Sequence, residues 1–223
     1  MPARLLNTLS SGLTRHLLRG EKTMAATFAP SAPYGEQGGS RDVPAERGSL
    51  SLFAETAGDA VQREVLLDRA MGTKRKRKSS EKLRRGRRPS EGMAFVARDG
   101  AGAMVGTVRL WDIAAGDDGR GALLLGPLAV DPSLKGAGIG SALMRAAISE
   151  ARRLGHKAIL LVGDAPYYGR FGFSAEKTGE LAMPGPYERH RLLALELVPG
   201  ALDGARGVIR ATGRKTKQLS AAA

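Results

Sequence analysis

Residues 126–141 read Gly-Pro-Leu-Ala-Val-Asp-Pro-Ser-Leu-Lys-Gly-Ala-Gly-Ile-Gly-Ser: the end of an apolar strand, a short turn, and three alternating glycines that open an amphipathic helix. Gly136, Gly138 and Gly140 carry no Cβ, so successive amides can approach an anion with no side chain in the way. The first amides of the following helix have no intrahelical acceptor, and the helix dipole adds partial positive charge at the same point. The stretch therefore predicts a pocket for the phosphates of a nucleotide-like cofactor. A Walker loop would close on Gly-Lys-Ser/Thr, whereas this one closes on Gly-Ile-Gly-Ser-Ala. A dinucleotide fold wants Gly-x-Gly-x-x-Gly directly after the first strand; here Asp131 to Lys135 intervene and Ser141 stands in the third glycine's place.

The hexapeptide Lys135-Gly136-Ala137-Gly138-Ile139-Gly140 resembles the Arg/Gln-x-x-Gly-x-Gly/Ala signature of the GNAT superfamily of acetyl-CoA-dependent N-acetyltransferases, with Lys135 in place of the Arg or Gln. A second segment lies one helix further on. Ala158 to Val162 reads as a buried strand, followed by Gly-Asp-Ala-Pro-Tyr-Tyr-Gly-Arg-Phe-Gly-Phe173, which resembles the family's ending of a Tyr, a short helical turn and a Gly-Phe pair. The resemblance puts Tyr168 in the place of the family's frequent catalytic tyrosine, ahead of its neighbour Tyr167. Taken alone, both tyrosines also suit half-buried packing, ring tucked under and hydroxyl wet. Where many members carry an Asn, this chain has Gly163-Asp164.

The resemblance covers roughly residues 49–200 and is strongest between Leu123 and Phe173. It implies a mixed α/β fold, a six- or seven-stranded mostly antiparallel sheet with helices on both faces. It also implies acetyl-CoA as co-substrate, held by Lys135, Gly136, Ala137, Gly138, Ile139, Gly140 and Ser141. The backbone of Leu128, Ala129 and Val130 would pair with the pantetheine arm where the family's central strand kinks from its neighbour. Pro127 cannot donate to a ladder, so a bulge is expected at Gly126-Pro127.

The chain has no cysteine, which excludes a thiol nucleophile, a disulfide and a Cys-based metal site. His16, His156 and His190 show no metal-ligand spacing. The implied reaction is direct attack of an amine on the thioester, with Leu128 N–H polarising the carbonyl and Tyr168 as general acid. An alkyl amine with a pKa near 10.4 is only about one part in a few thousand neutral at pH 7, so a base or a water relay is expected. Asp112, Asp164, Glu188 and His190 stand at strand ends as candidates.

Length and hydropathy suit one domain with tails, and no apolar run approaches the span of a bilayer. The formal net charge is +13, and Lys74 to Arg88 concentrates it, with ten basic residues against one acid, Glu81, a net of +9. Such a run is usually a solvated loop. Such a loop could still touch nucleic acid, anionic lipid or an acidic substrate, and the resemblance implies that it falls near the acceptor side; docking of a protein or RNA acceptor and a non-catalytic module that binds nucleic acid stay open as other readings. Against the latter, no aromatic interleaves with the run. A non-catalytic acetyl-CoA sensor is a further reading.

Residues 1–48 are expected to be a disordered extension, 49–202 the folded domain and 203–223 a basic tail. Leu5, Leu9, Leu13 and Leu17 share a stripe with Arg4, Arg15 and Arg19 elsewhere, as in a mitochondrial presequence. Met24 as the true start is the rival explanation, and the expected compartment is the cytoplasm, with the mitochondrial matrix as its alternative. Within the domain, a helix is expected over 57–71 with Val61, Val65, Leu66 and Ala70 inward. Hairpin strands are expected around Asp99-Gly100, and a helix to Leu154 with Leu143, Ala147 or Ile148, Ala151 and Leu154 inward. A last strand is expected at Arg191–Leu197. The assembly expected is a monomer or homodimer.

Overall fold

The computed structural model describes residues 50–216, so the N-terminal extension and its leucine stripe lie outside the described residues. The elements follow as β1 (Ser51–Ala54), α1 (Ala60–Met71), α2 (Ser79–Arg84), β2 (Ala94–Arg98), β3 (Met104–Ala115), β4 (Arg120–Val130), α3 (Ile139–Arg153), β5 (Ala158–Val162), α4 (Ala165–Gly169), β6 (Leu181–Ala182), β7 (Leu192–Glu196), β8 (Gly207–Val208) and β9 (Arg210–Ala211). The main sheet runs β1-β2-β3-β4-β5-β7, with β9 added beside β3. Within it only β4 and β5 pair in parallel. This is the seven-stranded, mostly antiparallel α/β sheet that the sequence implied.

The period of two along the strands divides the core into two layers. Leu123, Leu125, Ile159, Leu161, Leu193 and Leu195 face α3, whose Leu143, Met144, Ala147, Ile148 and Ala151 are buried against them. The alternate residues Ala122, Leu124, Ala158, Leu160, Leu192 and Ala194 face the opposite layer, built from Leu83 of α2 and the C-terminal segment. Helices therefore cover both faces. In α3 the expected inward set holds except for Leu154, which lies just past the helix and is 40 % exposed.

Three expectations change. Val61 and Val65 of α1 are exposed, and the helix instead buries Leu66, Leu67 and Arg63. The cause is the neighbouring charge: Arg63 pairs with the buried Glu55, and that ion pair fixes which face turns inward. The basic run is not a solvated loop, because it folds into a 3₁₀ turn at Thr73–Arg77 and α2, with Arg75 and Leu83 buried. The fold also continues past residue 202. Leu202, Ala205 and Ile209 are buried, β9 pairs with Ile113 and Ala114 of β3, and Asp117 N donates to Arg206 O at 2.7 Å. Ile209→Ala is accordingly expected to destabilise the domain by about 2–5 kcal/mol, measured by urea unfolding; a change under about 0.5 kcal/mol would mean that the segment packs loosely.

Candidate functional site

β4 and β5 are in register only at Leu123–Ile159 and Leu124–Leu160, and beyond them the strands separate. The reason lies in β4: at Gly126-Pro127 its pairing with β3 slips by one residue, between Val108 and Leu110. Proline has no amide for a ladder. Trp111 Nε1–H donates to Gly126 O at 2.6 Å and fixes the kink. Past it, Asp131 N donates to Val105 O at 2.9 Å, which sets the alternation of the ladder. Ala129 then exchanges hydrogen bonds with Thr107, while Leu128 and Val130 turn their amides and carbonyls to the open side. Of the three backbone candidates, Ala129 is therefore engaged within the sheet and two stay free.

The glycine loop follows directly. Asp131 accepts from Ser133 N at 3.1 Å and Ser133 Oγ at 2.8 Å, and these bonds hold its carboxyl below the ordinary value. Arg69 of α1 pairs with it at 2.9 Å. Gly138 sits at φ 82° as the residue before α3, and Gly136 at φ 90°. A Cβ at either would project into open space. The first helical bond reaching back to the loop is Ala142 N to Gly138 O, at 3.0 Å, so the amides of Ile139, Gly140 and Ser141 precede the helix ladder. The Ala137 amide, in contrast, donates to Leu134 O at 3.2 Å, and the Lys135 side chain is exposed.

The second segment closes on the first at Gly140. A Cβ there would stand 2.8 Å from Tyr167 Oη and 3.6 Å from Val130 Cγ2, so the end of β4, the start of α3 and α4 meet at one point. Tyr167 thus lies over the glycine loop, with the Arg170 guanidinium 4.6 Å from its ring centre. Tyr168 lies on the other side and lines a cleft of about 390 Å³ together with Leu125, Gly126, Pro127, Leu128 and Val162. Its ring packs on the backbone of Gly163, where any Cβ would collide with it. Burial, with a smaller contribution from Tyr167, pushes its pKa up to about 12. Among the described residues its hydroxyl has no hydrogen-bond partner.

The far wall comes from α1, the 3₁₀ turn, α2 and β3; the sequence placed the basic run near the acceptor side but singled out none of its residues. The wall includes Glu64, Arg75, Glu81, Arg84 and Arg109. Burial works against the charge of Glu64, but hydrogen bonds from Arg75 and Arg63 outweigh it and hold the carboxyl below the usual range. Arg109 Nε stands 2.9 Å from Oε2 of the buried Glu55, off hydrogen-bond alignment, and its guanidinium lies 5.1 Å from the Trp111 ring centre. The one available signal was Leu83, the sole large apolar residue within the basic run, with Glu81 and Arg84 spaced as a helical pair around it.

The expected base candidates do not converge here. The Asp112 carbonyl accepts from Thr212 N and Gly213 N beside β9, and the Asp164 carbonyl accepts from Tyr167 N and Tyr168 N at the start of α4. Glu188 pairs with His190 and Arg191 in the open. None of the four lines the cleft. Among the described residues no group of His, Asp and Glu is placed to hold a metal ion, and no helix is long and apolar enough to cross a membrane.

Residues 90–175 match the family model of the acetyltransferase (GNAT) domain. The uncharacterized N-acetyltransferase YjhQ of Escherichia coli (strain K12) is 38% identical over 71 residues, 30% of this chain and 39% of that protein, so the match spans well under half of that relative. The uncharacterized N-acetyltransferase YhbS of the same strain is 26% identical over 117 residues, 52% of this chain and 70% of that protein. The crystal structure of YhbS from E. coli in complex with CoA superposes with a TM-score of 0.61 at 25% identity, over 78% of this chain and 94% of that one. A GNAT family acetyltransferase from Brucella melitensis in complex with acetyl-CoA shares the fold, with a TM-score of 0.54 at 22% identity, over 74% of this chain and 97% of that one.

Proposed function

We propose that the chain, whose residues 90–175 match the acetyltransferase (GNAT) domain, moves an acetyl group from acetyl-CoA to the amine of a small acceptor by direct attack. The observation that carries this reading is the convergence at Gly140 of an opened β4 edge, a glycine loop before α3 and the α4 tyrosines. The residues present fit the cofactor. Open ground over Gly136 and Gly138 and the unbonded amides of Ile139, Gly140 and Ser141 suit a pyrophosphate, and the free polar groups of Leu128 and Val130 suit an amide-bearing arm.

When bound, acetyl-CoA supplies the thioester carbonyl that the amine attacks and the sulfur that departs. The Leu128 amide, directed into the cleft, polarises a carbonyl held beside it. The Tyr168 phenol holds its proton at Oη at any physiological pH, so it acts as a donor and never as a base. A pKa raised well above an ordinary thiol's means that it donates a hydrogen bond to developing negative charge more readily than it gives up the proton outright. Glu64 and Glu81 are both ion-paired, so proton removal from the amine is assigned to water in the cleft.

Calorimetric titration of the full chain with acetyl-CoA tests the reading, with one site per chain and a dissociation constant between about 1 μM and 1 mM as the expected result. Screening amines by thiol release then establishes turnover. A folded protein that gives no binding heat and no thiol release would exclude the acetyltransferase.

A further inference from the structure

The cleft wall formed by the 3₁₀ turn, α2 with its flanking residues and β3 carries more positive charge than an acetyl thioester calls for. Six cations line the cleft, Arg75, Lys76, Lys78, Arg84, Arg85 and Arg109, against the two acids Glu64 and Glu81. Arg75 is neutralised by Glu64 at 2.5 Å and Asp68 at 2.8 Å, and Arg109 by Glu55. Arg84 has one carboxylate beside it, Glu81, and that contact leaves part of its guanidinium unpartnered. Its side chain is only 10% exposed, and both of its contacts are made by Nη2, to Glu81 Oε2 at 3.2 Å and Ser80 Oγ at 3.3 Å. Nε is buried with no partner. Nη1 lies 3.7 Å from where a Cβ on Gly126 would stand, so the guanidinium rests against the β4 kink, next to Leu128.

Burying a cation beside two others is unfavourable unless an anion joins it. Burial, with the Arg75 and Arg109 charges adding to it and Glu81 offsetting only part, lowers the pKa of Arg84. A strained charge facing a cleft marks a position that a ligand completes.

We infer that the acceptor is an amine that also carries an anionic group, a carboxylate or a phosphate, and that Arg84 receives that group. The inference rests on the acetyltransferase reading above and names its substrate class. A planar guanidinium with unpaired donors matches a two-oxygen anion, and Lys76, Lys78 and Arg85 at the same wall attract it on approach. A small acidic amine is favoured over nucleic acid, because Arg75, Leu83 and Arg84 turn inward and break the basic run as a continuous outer surface.

Trp111 is the chain's single tryptophan and lines the cleft, so its fluorescence reports occupancy. The full chain is first saturated with CoA, which occupies the loop amides, and is then titrated with inorganic phosphate and with acetate at constant ionic strength. In parallel, thiol release from acetyl-CoA is compared for glycine against glycinamide and for phosphoethanolamine against ethanolamine. The expected result is a saturable Trp111 change with one of the two anions and a preference of about ten-fold or more in kcat/KM for the matching acidic amine. The arm that responds identifies the group. Arg84→Met is expected to lose that preference while keeping the wild-type affinity for acetyl-CoA and melting no lower, and Arg84→Lys to recover part of it. A wild type that binds acetyl-CoA but shows neither an anion response nor a preference overturns the inference and leaves the acetyltransferase intact. A preference that survives Arg84→Met does the same. A wild type that binds no acetyl-CoA overturns both.

Discussion

Gly138→Asp is expected to weaken acetyl-CoA binding on the order of 1,000-fold while leaving the domain folded. The residue stands at φ 82° immediately before α3, and its Cβ direction is empty, so the new side chain meets no protein atom. The left-handed backbone costs an Asp about 1 kcal/mol. The binding loss has a larger cause. A carboxylate about 4 Å from one phosphate charge, at an effective dielectric near 20, is repelled by about 4 kcal/mol, and it also competes for the Ile139, Gly140 and Ser141 amides as an acidic cap does. Gly138→Ala separates the two contributions, since it brings the backbone strain without the charge and should weaken binding by less than about ten-fold. Calorimetry reads both variants, with thermal melting as the check on folding. Equal losses in the two would assign the effect to strain and remove the argument for a pyrophosphate at this loop.

Tyr168→Phe is expected to lower kcat by about 100- to 10,000-fold, with the KM for acetyl-CoA close to the wild-type value. In the proposed role the hydroxyl meets charge that develops during reaction, so the loss is expected in kcat, and the ring that packs on Gly163 is retained. Gly163→Ala forms a companion test: its methyl group collides with the ring and should depress kcat with the hydroxyl still present. The raised pKa adds a pH signature. The folded state binds the Tyr168 proton more tightly than the unfolded chain does, so this stabilisation is complete below pH 10 and is lost as pH climbs from 10 toward about 12. Alkaline unfolding of Tyr168→Phe should therefore be shallower than wild type across that window. A Phe variant with full kcat would leave Tyr168 a packing residue.

The parts of this site that are legible in the sequence are those whose chemistry is local. The glycine spacing from 136 to 140, the proline in β4 and the tyrosines after β5 each sit within one turn or strand, so short-range patterns reveal them. Arg84 is hidden because ten cations in fifteen residues mask any periodicity, and Leu83 alone marks the buried face. The inward face of α1 escapes the pattern because a charged pair, Arg63 with Glu55, outweighs Val61 and Val65 in orienting the helix; a hydrophobic pattern contains no information about a partner eight residues upstream, outside the helix. Ala129 differs from its expected place among the free backbone groups because the alternation of the ladder depends on which residues of β3 lie opposite. β9, two residues long, owes its place to β3 and has no signal of its own.

That late strand has a consequence during synthesis. Ile113 and Ala114 of β3 find their partners at Ala211 and Arg210, nearly a hundred positions further along the chain. At ribosomal speeds of about 5–20 residues per second, that edge waits roughly 5–20 s for its cover. For most of that interval, from residue 141 onward, the growing chain holds all the residues of the glycine loop and still displays an unpaired strand edge next to Asp112, and neighbouring nascent chains on the same message are the partners nearest to it.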